Sequence, residues 1–426
     1  MKRSTALLLC LVIAFSLFSC TDNRETVQND DSNIHIDKKA VSTDLMKDIK
    51  VDSPQTKPLP VDYDPITSLA VSLFSECYES EKNILISPLS VICALGMVQN
   101  GAEGGTLYQM EGILSDRDSL NSYLYNYKSI LHADEDTKFH IANSIWIRDT
   151  DNLTVHDEFL ETNAAYYSSS AYKSAFDKAT ADEINLWVNE NTDGMINNII
   201  DDIPEDAIMY LINALCFDAK WETPYEDYNV REGDFTPENK KIKKAEFMYS
   251  DLYSYLSDEN TTGFIKNYKG GDYAFVALLP KEEMTIEEYL ENFSAEKLSA
   301  LLEGKERTMV RTSLPKFEME YDKDLSDILI EMGMGEAFSK GDADFSSLGD
   351  LRNKDENIYI SQVIHKTYIS VTEQGTRAGA VTSVQMDATG CIPADPKTVY
   401  LDRPFIYLII DTKTNTPIFM GALMEP

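Results

Sequence analysis

From about residue 64 onward, apolar positions recur at helical and at strand-like intervals in irregular succession. Residues 66–74 (ITSLAVSLF) follow Pro65 with amphipathic helical spacing and predict the first helix. Residues 84–86 (ILI) predict a short strand stopped by Ser87 and Pro88, and 89–99 predict a helix apolar on nearly every side. Residues 139–148 (FHIANSIWIR) alternate as a strand, 184–200 carry helical spacing, and 207–220 open with a strand-like apolar run. Residues 273–279 form a continuous apolar strand ended by Pro280, and 324–333 read as a helix. The end of the chain is strand-rich, at 364–371, 405–411 and 418–423. Strands and helices mixed without a period predict an α+β fold rather than a βαβ array.

The first 62 residues lack this patterning. Lys2 and Arg3 precede an apolar stretch from Ala6 to Phe18 that ends in Ser19 and Cys20. A basic start, a short apolar core and a small residue before a cut site predict an export signal over residues 1–19. A Cys directly after the small residue is similar to the lipobox of bacterial lipoproteins, which makes Cys20 the expected lipidation site. An ordinary signal peptide or an uncleaved anchor is the alternative. Residues 21–62 contain no Phe, Trp or Tyr and are rich in Asp, Asn, Lys, Ser and Thr, with three prolines near the end. They are expected to be a flexible tether between lipid and domain. The expected location is a membrane-anchored lipoprotein on the cell surface, in the periplasm or outside the cell.

Composition removes several classes of function. The 426 residues include 38 Lys+Arg against 72 Asp+Glu, a formal net charge of -34. Phosphate polymers need clustered cations, so nucleic acid and heparin are not expected partners. Five histidines form no HExxH pair, and no GxSxG, phosphate-loop or GxGxxG run occurs. No cofactor and no metal site is expected. Abundant Asp and Glu would also suit an acidic glycan hydrolase, but a solvated acidic surface is the simpler account. Cys77, Cys93 and Cys216 sit in or beside apolar runs and read as small core residues. Cys391 lies in a polar, loop-like stretch.

Nine short segments then fall in a specific order. They are 83–97 (NILISPLSVICALGM), 142–146 (ANSIW), 184–188 (INLWV) with 191–196 (NTDGMI), and 212–217 (INALCF) leading to Lys220 and Trp221. They continue with 314–317 (LPKF), 364–366 (IHK), 373–376 (EQGT), 403–405 (RPF) and 419–421 (FMG). Together they resemble the serpin family across roughly residues 65–426. The resemblance implies one domain, 63–426, of three β-sheets and eight or nine helices, with an exposed reactive loop at about 373–400. A chain this long would otherwise suggest two cores, since single cores rarely exceed roughly 250–300 residues.

The loop segment 376–389 (TRAGAVTSVQMDAT) has its own pattern. Thr376, Ala378, Ala380, Thr382, Val384, Met386 and Ala388 form one alternating set, small or apolar throughout. The other set, from Arg377 to Thr389, is mostly polar. Yet Gly375, Gly379 and Gly390 flank or interrupt it, as in an exposed turn. Such a segment can be loop or half-buried strand.

What the resemblance implies is a suicide substrate, not an enzyme. A serine protease cleaves the loop, is held as a covalent 1:1 acyl-enzyme, and is distorted as the loop enters the main sheet; loop insertion of this kind is an established serpin property. Glu373, Gly375, Thr376, Ala378, Ala380 and Thr382 match the hinge. Ser87, Ser90, Asn213 and His365 match the shutter behind the parting strands, and Trp221 matches the breach where the loop enters. Lys244 is expected to pair with Glu373. The family commonly has Glu where this chain has Arg377, which alternation turns outward. Sixteen positions beyond Glu373, the scissile bond falls at Thr389–Gly390, with Met386, Ala388 and Cys391 as alternates. A small β-branched residue there suits an elastase-like protease. The molecule is expected to be a monomer. The alternative function is a non-inhibitory member serving as a surface binding or carrier module.

Overall fold

The computed structural model describes residues 42–60, 63–150, 152–353, 357–376 and 396–426. The described part of the expected reactive loop is therefore its two ends. Arg377, Ala378, Ala380, Thr382, Met386, Ala388, Thr389, Gly390 and Cys391 lie outside the described residues, as does Cys20.

Helix formation follows the expected start signals. Asp64 accepts the backbone N–H of Thr67 and Pro65 opens the helix Pro65–Cys77. Ser87 likewise caps Pro88–Gln99, whose residues are buried on every face. That helix passes behind the largest sheet and forms the centre of the core, in contact with strands of two sheets.

Three sheets and one two-stranded ladder are present among the described residues. The main sheet contains β1 (Thr43–Asp44), β2 (Thr137–Arg148), β3 (Ser170–Ser174), β4 (Met209–Lys220), β5 (Phe317–Asp324), β6 (Gln362–Val371) and β7 (Gly375–Thr376). Their order across the sheet is β1-β3-β2-β4-β7-β6-β5. The second sheet orders Ile84–Ile86, Pro417–Leu423, Phe405–Asp411, Tyr273–Pro280, Thr261–Asn267 and Tyr255–Ser257. The third orders Lys397–Tyr400, Val310–Pro315, Lys243–Leu252 and Val230–Phe235. With nine α-helices among the described residues, the α+β expectation and its three sheets hold.

In the middle of the main sheet, β4 and β6 run parallel, paired from Tyr210 with Gln362 to Leu215 with Thr367. Neither strand is joined to the other by a hairpin. Beyond that stretch β7 lies between them, antiparallel to both, with Thr376 opposite Ala219 and Val371. A sheet whose central pair is made and unmade in this way sets the geometry of the site.

Residues 42–60 correct the expectation of a free tether up to residue 62. Thr43 and Asp44 pair with Lys173 and Tyr172 at the sheet edge, and Leu45 N–H donates to Ala171 O at 2.9 Å. Leu45, Met46 and Ile49 pack, half-buried, on the core. Farther along, Lys57 N–H donates to Ser122 Oγ and Tyr166 hydroxyl to Gln55 O. Three aliphatic side chains and an available strand edge are enough to dock a polar segment that has no Phe or Trp of its own.

Among the described residues no helix is long and apolar enough to cross a membrane, and no cluster of His, Cys, Asp and Glu could hold a metal.

Candidate functional site

A chain of four polar residues crosses the sheet at the level where β4 and β6 are still paired. Asn143 on β2, Asn213 on β4 and His365 on β6 come from adjacent strands, and Ser87 precedes the buried helix. Ser87 N–H donates to His365 Nε2 at 3.1 Å, so that nitrogen carries no proton. The Nδ1–H then donates to Asn213 Oδ1 at 2.6 Å. Asn213 Nδ2 in turn donates to Asn143 Oδ1 at 2.6 Å, and Ser87 Oγ to Ile418 O at 3.0 Å. His365, Asn213 and Ser87 are fully buried, and each has its partners. Ser90 joins only through its backbone N–H to Ser87 Oγ; its own hydroxyl has no partner.

Burial pushes the His365 imidazole down to about 3, so it is neutral throughout the physiological range. An unfolded His titrates near 6.5, so between pH 3 and 6.5 the unfolded chain binds a proton that the folded chain refuses. Stability contributed by this neutral group is therefore full above pH 6.5 and falls as the medium is acidified. At pH 5 the loss is about 2 kcal/mol. Urea unfolding at pH 7.5 and pH 5 should show a lower midpoint at pH 5, with the difference reduced in His365→Gln. Equal pH sensitivity in that variant would exclude His365 as the cause.

Higher on the sheet, the ends of β4 and β6 are held apart by β7, next to an aromatic stack. Trp221 follows β4 directly and stacks on Tyr268 with centroids 4.5 Å apart. Its backbone N–H donates to Gln374 O at 2.9 Å and its Nε1–H to Thr372 O at 2.8 Å. Tyr225 N–H donates to Glu373 O at 2.9 Å. The Thr376 side chain turns inward, and its hydroxyl meets Tyr268 hydroxyl at 2.6 Å. At Gly375 a Cβ would lie 2.7 Å from Lys220 Cα and closer still to Ala219 O, so the chain enters here without a side chain. Glycine is required by this close approach.

The expected pair of Lys244 with Glu373 is not formed. Lys244 lies in the hairpin of the third sheet and binds Asp234 at 2.6 Å, its cross-strand neighbour, with Glu232 at 4.0 Å. Glu373 instead binds Lys316 at 2.7 Å, and Lys316 also reaches Glu246 at 3.0 Å. The reason is position: Lys316 stands between Val310–Pro315 and β5, where the chain crosses from the third sheet to the main one. Burial works against the Glu373 carboxylate, but the Lys316 ammonium outweighs it and holds the acid below its ordinary range. Lys316 lies in LPKF and Asn143 in ANSIW, both among the segments that carry the resemblance. Neither has a local spacing signal.

The expected residues Ser87, Asn213 and His365 are thus brought together in one cluster, and Trp221, Glu373, Gly375 and Thr376 in another. Nothing in either cluster has a nucleophile, an activating base and a substrate cavity in one place. Both clusters instead surround a seam in a sheet. What they can do is exchange hydrogen bonds when that seam opens.

The serpin family model, described as serine protease inhibitor, matches residues 64–426. Human neuroserpin is 30% identical over 382 residues, covering 85% of this chain and 91% of that one. The crystal structure of a thermophilic serpin, tengpin, in its native state is similar with a TM-score of 0.87 and 42% identity, covering 91% of this chain and 100% of that one. The latent-state structure of tengpin gives 0.76 at 42% identity, covering 86% and 99%.

Proposed function

Because the chain belongs to the serpin family, we propose that it inhibits an elastase-like serine protease by offering residues 377–395 as a substrate and trapping the acyl-enzyme. The observation that carries this reading is β7, a two-residue strand begun between parallel β4 and β6. Continuing its register one residue at a time places Ala378 opposite Phe217, Ala380 opposite Leu215 and Thr382 opposite Asn213. Thr382 would then stand between Asn213 and His365, where the 2.6 Å bond between them must break. Its hydroxyl can replace the lost partner on either side, so opening the seam leaves no buried polar group unpaired. The inward set is small or apolar, as passage between two parting strands requires.

Cleavage follows Thr389 in this reading, the small P1 residue suiting a shallow S1 pocket. The test is incubation with pancreatic elastase followed by denaturing electrophoresis and mass mapping. A covalent 1:1 band resistant to SDS, with a C-terminal fragment beginning at Gly390, is the expected result. Cleaved chain with fully active protease would mean a binding or carrier module instead.

The same reading anchors the domain to a membrane through lipid on Cys20. Labelled palmitate should be incorporated by the expressed full chain and not by Cys20→Ser; equal incorporation would remove the anchor.

A further inference from the structure

A cleft of about 740 Å³ opens between the turn 222–229 that follows Trp221, the strand Thr261–Asn267 and one face of the third sheet. Small-molecule sites occupy roughly 300–1,000 Å³. Lys266 and Tyr225 line it, each only 3% exposed. Lys266 Nζ donates to Thr223 O at 2.9 Å and lies over the rings of Tyr225, at 4.2 Å, and Trp221, at 5.2 Å. An ammonium has three N–H groups, and among the described residues it has no ion-pair partner. The buried Tyr225 hydroxyl forms no hydrogen bond of full geometry, its polar neighbour being the Ser250 side chain. A buried lysine with one acceptor for its three N–H groups and a buried hydroxyl without a full hydrogen bond therefore line the same space, an arrangement that native interiors otherwise avoid.

The walls supply rings and further positive charge. The Arg231 guanidinium lies 4.1 Å from the Tyr249 ring centroid, and Tyr249 meets Tyr400 edge-on at 6.1 Å. Arg311 also lines the cleft. Neither arginine forms an ion pair among the described residues, in a chain with 72 acidic residues. Two carboxylates are near. Glu222 is occupied by the Asn267 amide at 3.2 Å, and Asp251 is opposite Arg311 in the ladder but outside ion-pair distance. Burial lowers the Lys266 ammonium to about 7 against the pull of Glu222, which does not reach ion-pair distance.

We propose that this cleft binds a small aromatic carboxylate, its anion taken by Lys266 and Tyr225 and its ring by Tyr249, Tyr400 and Arg231. An aromatic frame matches the ring-and-guanidinium wall, and a single carboxylate matches two buried donors. Trp221 and Tyr225 also hold residues 372–374 through their backbone N–H groups and the Trp221 indole. An occupant therefore steadies the seat from which β7 departs, and its binding does not depend on any protease.

The probe is 2-naphthoate, titrated calorimetrically into the purified chain at pH 6.0, where Lys266 is protonated and the naphthoate ionised, with 2-naphthylmethanol as the uncharged counterpart. One saturable site is expected, weakened about tenfold or more by Lys266→Met and by loss of the carboxylate. Unchanged affinity in Lys266→Met, equal binding of the alcohol, or no saturable heat up to about 5 mM naphthoate overturns the proposal. Should Lys266→Met fail to fold, Arg231→Gln, an exposed side chain, decides by the same criterion.

Discussion

Cleavage between Met386 and Cys391 is expected to raise the melting temperature of the chain by about 10 °C or more. In the intact chain β7 fills two positions between β4 and β6. A freed end can continue that strand down the seam. About a dozen new ladder bonds at roughly 0.5–1.5 kcal/mol net each give on the order of 10 kcal/mol. Burial of the alanines and valine of the inward set adds to it. Scanning calorimetry of the intact chain and of the chain nicked by catalytic elastase, with both fragments retained, measures the difference. Equal melting temperatures would mean that the first-folded state stores nothing, and the trapping mechanism would have no drive.

The second large effect is expected for Thr376→Arg. Thr376 is 1% exposed and its hydroxyl is bound by Tyr268, beneath Trp221. A guanidinium at this position has no carboxylate to meet, and burying it unpaired costs several kcal/mol. The loop would still be cut, because the scissile bond lies far from Thr376 in sequence. The seated start of the inserting strand would be lost, insertion would slow, and deacylation would win. The fraction of elastase held in SDS-resistant complex should fall at least tenfold, since about 1.4 kcal/mol in the partition suffices. Thr376→Ser, which keeps the hydroxyl, should trap as the native chain does. An undiminished yield of complex with Thr376→Arg would show that this position does not gate entry.

Much of the scaffold was readable because periodicity reports burial. Residues 84–86, 139–148 and 273–279 were expected as strands and are found within strands, and 89–99 forms the helix its apolar run implied. Errors came where backbone geometry overrode pattern. Helical spacing over 184–200 ends as helix at Asn191, because Asp193 and Gly194 adopt left-handed φ of 52° and 73°. The expected helix 324–333 is one regular turn, Ser326–Leu329, followed by a wider turn that closes at Gly333 with φ of 112°.

The site was readable only through the family resemblance. Ser87 and His365 are 278 positions apart, and no spacing rule joins them. Lys244 and Lys316 show the limit of matching by position along the chain. A lysine in a hairpin is claimed by the acid across the ladder, whereas the lysine at a crossing between sheets is free to reach the loop base.

The two-residue strand β1 has a further consequence. Without it the outward side of β3 would present open amide and carbonyl groups to the solvent, next to exposed aliphatic surface. Such a rim recruits strands from neighbouring molecules, the route by which crowded solutions of sheet proteins form fibrils and precipitates. The polar leader thus also covers a rim that would otherwise be open to pairing with a foreign strand.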